Sequence, residues 1–311
     1  MLSLNDKWIW DFWFAQIRNE YHIFYLQAPK NLINEQKRHH NATIGHAVSE
    51  NLVDWKILPD ALTPGTKGSW DDLATWTGSI IRHNNLWYMF YTGVNHAEKG
   101  LIQRVGFATS NDLISWEKYN HNPVIEADEK YYEILDLYAW HDQAWRDPFV
   151  FRYNNSFHAF ITARVNCGPV NGRGVIAHAE SDDLINWNVL PPVTEPGEFG
   201  QLEVPQLVEI NKKFILIFST AAEHHSRQRL MRTNIIPVTG THYLCANNPL
   251  GPFKYSTDQF LVGDKVGSLY SGKMIQTPDE EWRMISFRNY QKDGQFIGTI
   301  TDPFGVDLEI I

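Results

Sequence analysis

Residues 8–26 read Trp8-Ile9-Trp10-Asp11-Phe12-Trp13-Phe14-Ala15-Gln16-Ile17, then Arg18-Asn19-Glu20, then Tyr21-His22-Ile23-Phe24-Tyr25-Leu26. Two runs rich in aromatic and β-branched residues flank three polar ones, which is the pattern of a β-hairpin. One carboxylate, Asp11, interrupts the first run. An acid in an apolar strand is costly unless it is hydrogen-bonded, paired or open to a cavity. A lone acid of this kind is most simply one that pins a turn. The unit recurs, however, and the recurrence decides the fold.

Four more copies follow. The second is Thr77-Gly78-Ser79-Ile80-Ile81-Arg82, a turn at His83-Asn84-Asn85, then Leu86-Trp87-Tyr88-Met89-Phe90-Tyr91. The third opens at Asp147-Pro148-Phe149 and turns at Tyr153-Asn154-Asn155. The fourth opens at Glu203-Val204-Pro205 and turns around Asn211-Lys212, and the fifth opens at Ser271-Gly272-Lys273 and turns at Thr277-Pro278-Asp279-Glu280. Three hairpins are followed by a second recurring element: Ala47-Val48-Ser49-Glu50-Asn51-Leu52-Val53-Asp54-Trp55, Ala108-Thr109-Ser110-Asn111-Asp112-Leu113-Ile114-Ser115-Trp116 and Ala179-Glu180-Ser181-Asp182-Asp183-Leu184-Ile185-Asn186-Trp187. Each reads as a third strand, a Ser-Asx turn and a tryptophan for core packing. Five units in 311 residues leave about 62 residues each, room for four strands plus loops. No convincing amphipathic helix is visible. The expectation is an all-β chain folded as a five-bladed β-propeller, in which radial repetition leaves only short, protected sheet edges. The proline-rich stretch 190–198 interrupts the repeat series and reads as an inter-blade loop, so 1–311 is expected to be a single domain.

Composition narrows the function. The chain is 43% hydrophobic and 14% aromatic, which describes a globular protein with a large core. A net charge of −9 with no Lys/Arg block argues against nucleic acid or an anionic membrane as partner. The two cysteines, Cys167 and Cys245, lack metal or disulfide spacing. No signal-peptide core is visible in residues 1–7, and no run is apolar enough over the ~18 residues of a membrane span. These readings point to a cytoplasmic protein with no cofactor, and they set no oligomeric state. His39-His40 and His224-His225 invite a metal reading, but adjacent residues on a strand face opposite ways and no partner is identifiable. They read better as polar loop residues, one of which reaches a ligand. Gly168, Gly172 and Gly174 do not form a phosphate-binding pattern.

In a propeller the first strand of each blade lines the central channel. Asp11, Asp147 and Glu203 open that strand in units one, three and four, and they are expected to meet at one mouth of the channel. Carboxylates gathered there repel and raise at least one pKa, so structure alone gives no reason for the arrangement. Two carboxyls, one a nucleophile or base and the other a proton donor, are the apparatus of glycoside hydrolysis. Arg146 suits a bidentate grip on sugar oxygens. Trp10, Trp13, Trp76 and Trp145 are candidates for apolar platforms under a sugar.

These stretches resemble the five-bladed propeller glycosidases of the β-fructosidase clan, the invertases, levanases and levansucrases of glycoside hydrolase families 32 and 68. Trp8-Ile9-Trp10-Asp11-Phe12-Trp13 is similar to the levansucrase W-D-x-W segment. Trp145-Arg146-Asp147-Pro148 matches R-D-P, and Leu202-Glu203-Val204-Pro205 matches the invertase E-C-P. Thr75-Trp76-Thr77-Gly78-Ser79 matches F-S-G-S, Phe24-Tyr25-Leu26-Gln27 resembles F-Y-Q, and Gly45-His46-Ala47-Val48-Ser49 resembles the G-H-A-x-S scaffold run. The resemblance covers nearly the whole chain. It implies Asp11 as nucleophile, Glu203 as general acid/base and Asp147 as transition-state stabiliser, with Trp10, Gln27, Trp76, Thr77 and Arg146 at the sugar. It also implies hydrolysis of sucrose or fructo-oligosaccharides with retention, or fructosyl transfer, which calls for Asp11 and Glu203 carboxyls about 5–5.5 Å apart. Another furanosidase activity, such as an arabinofuranosidase, and a non-catalytic sugar-binding propeller are the alternatives. The chain departs from the pattern in three places: Trp10 stands for the asparagine of N-D-P-N-G, Val204 follows the acid in place of cysteine, and Arg38-His39-His40-Asn41 lies where invertases often place a tryptophan.

Overall fold

The computed structural model describes residues 1–232, 236–254 and 260–307. Within them, β1 (Lys7–Ile17), β2 (Glu20–Pro29), β3 (Thr43–Ser49) and β4 (Lys56–Leu62) form a first antiparallel sheet. The second contains β5 (Ala74–His83), β6 (Leu86–Val94), β7 (Arg104–Ser110) and β8 (Glu117–Lys118), and the third β9 (Trp145–Tyr153), β10 (Ser156–Arg164), β11 (Gly174–Ser181) and β12 (Asn188–Leu190). The fourth is β13 (Glu203–Ile210), β14 (Lys213–Thr220), β15 (Thr239–Ala246) and β16 (Val262–Asp264), and the fifth β17 (Leu269–Gln276), β18 (Trp282–Tyr290) and β19 (Phe296–Ile300). The architecture is the expected five-bladed β-propeller. Among the described residues one short α-helix, α1 (Arg227–Arg232), sits in the loop after β14.

The turns form for the reason the sequence suggests. Asn84-Asn85, Asn154-Asn155 and Asn211-Lys212 are two-residue loops in which both residues have φ between 48° and 69°. That geometry matches the strand twist, and asparagine tolerates it best after glycine. The Ser-Asx element is equally regular. Ser110 Oγ accepts from the amides of Asp112 and Leu113, at 3.1 and 2.9 Å, and Ser49 and Ser181 repeat the motif. Trp116 Nε1 then donates to the Leu113 carbonyl at 3.0 Å, and Trp187 does the same to Leu184. These tryptophans glue neighbouring blades together. Trp116 of the second blade meets Phe24 of the first edge-on at 5.8 Å, and Trp187 of the third meets Phe90 of the second at 5.5 Å.

The last sheet has three strands, and the N-terminal residues complete it. Leu2 pairs with Ile300 through two backbone hydrogen bonds of 3.0 and 2.9 Å, and its side chain is buried. The first and last blades are thereby stitched together.

Every innermost strand carries a β-bulge near its start. The register slips between Trp10 and Phe12 in β1 and between Trp76 and Gly78 in β5, and again at 146–149, 203–206 and 270–273 in β9, β13 and β17. Four bulged residues have positive φ: Asp11 at 23°, Asp147 at 59°, Val204 at 49° and Ser271 at 53°. A bulge of this kind re-aims the side chains beside it, and strained backbone of this sort gathers at functional sites. The bulges correct one expectation. Asp11 and Asp147 are equivalent, but the bulged residue of the fourth blade is Val204. Glu203 stands one place earlier, level with Trp10, Trp76, Arg146 and Tyr270.

Candidate active site

The bulges ring one cavity of about 720 Å³, and each blade contributes to its lining: Trp10 and Asp11, Trp76 and Thr77, Arg146 and Asp147, Glu203 and Val204, and Tyr270. The three acids expected to meet therefore open onto a common pocket. Each is held differently. Thr77 Oγ1 of the next blade donates to Asp11 Oδ2 at 3.3 Å. Asp147 Oδ2 accepts from Thr162 Oγ1 at 3.0 Å and from the Val204 amide at 3.1 Å, so the third blade grips the fourth through the acid itself. Glu203 Oε1 accepts from Arg146 Nη2 at 2.5 Å, and its Oε2 accepts from the Tyr270 hydroxyl.

Arg146 is the hub. Beyond Glu203, its Nη1 donates to Gln103 Oε1 at 3.1 Å and lies 3.5 Å from Asp142 Oδ2, and its Nε lies 3.8 Å from Asp147 Oδ2. Gln103 is oriented in turn by donating to Asp142 Oδ2 at 2.8 Å. Three carboxylates around one guanidinium hold it charged although burial opposes the charge.

The acids are pushed apart electrostatically. Burial, then the charges of Asp147 and Glu203, raise Asp11 to about 7, with Ser271 and Lys273 opposing. Burial also raises Asp147, against the pull of Arg146. Burial acts to raise Glu203 as well, but Arg146 and the Tyr270 hydrogen bond outweigh it and hold that carboxyl below the usual glutamate range. Between these two acids the proton thus prefers Asp11 to Glu203.

The other expected residues divide. Trp10, Trp76 and Thr77 line the cavity. Gln27, expected at the sugar, does not: it is buried on β2 and donates to Thr43 Oγ1 across the sheet at 3.1 Å. The inward face of β2 reaches the pocket through Leu26 instead. Trp13 and Trp145, considered as sugar platforms, are core residues. Trp13 stacks on Phe24 at 6.3 Å, and Trp145 packs against Tyr132 and donates to the Ile125 carbonyl. Of the paired histidines, His39 and His224 line the cavity, while His40 is exposed and His225 packs edge-on against Phe199.

Sequence reading missed four contributors. The Tyr270 hydroxyl holds Glu203. Lys273 is buried and donates from Nζ to the carbonyls of Val204 and Pro205 at 2.6 and 3.1 Å, bracing the bulge behind Glu203. Burial lowers Lys273 to about 8, with Asp147 and Asp11 opposing. Gln103 and Asp142 come from loops outside the repeat. Aligning the first strands by their bulges would have put Tyr270 level with Glu203; nothing in the sequence marks Gln103 or Asp142.

Comparison with known proteins follows this geometry. The model of the glycosyl hydrolases family 32 N-terminal domain matches residues 7–295. The sucrose-6-phosphate hydrolase of Bacillus subtilis (strain 168) is 27% identical over 210 residues, 65% of this chain and 39% of that protein. The insoluble isoenzyme 7 β-fructofuranosidase of Oryza sativa subsp. indica is 30% identical over 200 residues, 58% of this chain and 31% of that protein. The chain thus spans between about a third and two fifths of these relatives' length. Among solved structures, the inulosucrase from Halalkalicoccus jeotgali bound to kestose superposes with a TM-score of 0.73 at 20% identity, over 96% of this chain and 81% of that one. The Bacillus subtilis levansucrase superposes with a TM-score of 0.75 at 13% identity, over 98% and 87%. At such identities the structural matches speak for the fold. The match to the family itself runs from the first strand into the last blade, and the chain belongs to the glycosyl hydrolases of family 32 through their N-terminal domain.

Proposed function

We propose that this chain is a retaining β-fructofuranosidase acting on sucrose or fructo-oligosaccharides, with fructosyl transfer when a sugar replaces water. The observation that carries the reading is that Asp11, Asp147 and Glu203, from three blades, open onto one cavity with Arg146 among them. Asp11 attacks the anomeric carbon and forms a glycosyl-enzyme ester. Glu203, protonated, gives its proton to the departing glycosidic oxygen and then takes one from the incoming water or sugar hydroxyl. Asp147 and Arg146 hold furanose hydroxyls as positive charge builds on the ring. Retention calls for carboxyls about 5–5.5 Å apart at Asp11 and Glu203.

The electrostatics of the protein alone run against these roles, since Asp11 keeps its proton more tightly than Glu203. The active form is then the minority arrangement of a single shared proton. Substrate hydroxyls that draw Arg146 away from Glu203 shift the balance toward it.

The proposal covers one catalytic domain over 1–311 with a carbohydrate as its ligand. A cytoplasmic location belongs to the same reading; Cys167 is an exposed thiol, a state that a reducing compartment preserves. Among the described residues no helix is long and apolar enough to cross a membrane.

The test is sugar release from sucrose, kestose, levan and an aryl arabinofuranoside. Asp11→Asn and Glu203→Gln serve as controls. Fructoside cleavage lost in both variants supports the reading. Activity confined to the arabinofuranoside transfers it to another furanosidase. Sugar binding without release from any substrate makes the propeller a lectin.

A further inference from the structure

One wall of the cavity comes from no blade. Between β2 and β3 the chain leaves the sheet through 30–42, a loop containing a 3₁₀ segment at Glu35–Asn41. Asn34 caps that segment by accepting from the Gln36 amide at 2.9 Å. Its core-facing residue is Arg38, buried with its guanidinium 4.1 Å from the Phe296 ring centroid and 5.5 Å from that of Trp10. Arg38 Nη1 closes the turn by donating to the Glu35 carbonyl at 3.0 Å. Gln36 Nε2 donates to the Tyr290 hydroxyl of the fifth blade at 2.9 Å. Trp76 Nε1 of the second blade donates to the His39 carbonyl at 2.6 Å. The segment is therefore pinned by three blades at Gln36, Arg38 and the His39 carbonyl.

The His39 ring is treated differently from its backbone. It lines the cavity and sits edge-on to Trp10 at 5.9 Å and to Trp76 at 6.4 Å. Among the described residues neither ring nitrogen has a hydrogen-bond partner. A fixed backbone, a fixed ring plane and two unused ring nitrogens describe a side chain prepared for a ligand rather than for the core. Burial, then the Arg38 charge, keep the imidazole neutral, lowered to about 3. It therefore offers one donor and one acceptor throughout the neutral range.

We infer that His39 is a specificity-determining residue that hydrogen-bonds one hydroxyl of the bound sugar, held in place by the clamped 30–42 loop between two tryptophan edges. The inference rests on the glycosidase reading above. It predicts a pocket that discriminates by hydroxyl pattern at this wall, because a hydrogen-bonding group that the sugar covers without partnering it penalises the analogue that lacks the hydroxyl.

The experiment compares wild type, His39→Ala and His39→Phe on sucrose and on a series of monodeoxy fructosides, each missing a single fructosyl hydroxyl. Thermal melts check folding, and His39→Phe preserves ring bulk and the contacts with Trp10 and Trp76. Expected is a loss of about tenfold or more in kcat/KM for both variants on sucrose, carried mainly by KM. One analogue alone should be turned over as well by the variants as by wild type, because its missing hydroxyl is the one His39 holds. His39→Phe with wild-type kinetics, or deoxy penalties unchanged in both variants, overturns the inference while leaving the enzyme reading intact. A wild-type protein that cleaves no fructoside overturns both.

Discussion

Tyr270→Phe probes the site's electrostatics most directly. The phenol donates to Glu203 Oε2 and favours the ionised acid. The ring also packs edge-on against Phe287 at 6.0 Å, and phenylalanine keeps that contact. Losing a hydrogen bond to a charged acceptor costs about 1.5–3 kcal/mol. At about 1.36 kcal/mol per pH unit, Glu203 should rise by roughly one to two units. The sign of the kinetic effect follows from which group holds which limb. In the free protein Asp11 sits at about 7 and Glu203 below its usual range, while catalysis needs Asp11 ionised and Glu203 protonated. Active and dominant forms carry the same single proton, so kcat/KM against pH remains a bell. Its acid limb belongs to Glu203 and its alkaline limb, near 7, to Asp11. In Tyr270→Phe the acid limb should climb by about one to two pH units and the alkaline limb should stay. The maximum should rise by about ten- to a hundredfold, because more molecules carry the proton on Glu203. The assay is kcat/KM for sucrose across the acid and neutral range. An acid limb that stays put while the alkaline limb moves refutes the assignment.

The other predictions use different parts of the molecule. Lys273→Met removes a buried cation that lowers Asp11, so the alkaline limb should move upward, and the unpartnered Val204 and Pro205 carbonyls should cost about 1–3 kcal/mol each in urea denaturation. Deleting residues 1–4 removes two backbone hydrogen bonds to Ile300 and the buried Leu2 side chain, a loss of about 3–5 kcal/mol that a denaturant midpoint should register. His46 pairs with His22 at 2.8 Å and is lowered by burial to about 3 from 6.5. The unfolded chain therefore binds the extra proton between those values, and stability should fall as pH drops from 6.5 toward 3. His46→Phe should flatten that acid-side slope, and an unchanged slope would assign acid sensitivity elsewhere.

The propeller was legible because its signals are local. An Asn-Asn pair between two apolar runs specifies a two-residue turn without help from the rest of the chain, and a Ser-Asx-Leu element closes on itself within four residues. The meeting of Asp11, Asp147 and Glu203 followed from repetition alone. What escaped was finer. A bulge adds one residue to one strand and leaves the alternation of apolar residues nearly unchanged, so Glu203 was placed level with Asp11 when it lies one position earlier. Gln27 follows an aromatic run as a substrate ligand would, but whether its amide faces the pocket or the sheet depends on a register that composition does not set. Lys273 looks like an ordinary polar strand residue until the fourth blade's carbonyls are brought beneath it. Gln103 and Asp142 lie on irregular loops, where tertiary packing alone decides direction.

The five bulges have a consequence beyond positioning. Each lifts one or two side chains off a strand whose remaining residues are committed to the packing between blades. Exchanging an amino acid at such a perch alters the chemistry of the mouth while the walls below stay as they are. A lineage built on this plan is free to drift in what it recognises far faster than in how it folds, and the place to look for its next specificity is a handful of positions, one pair to a blade.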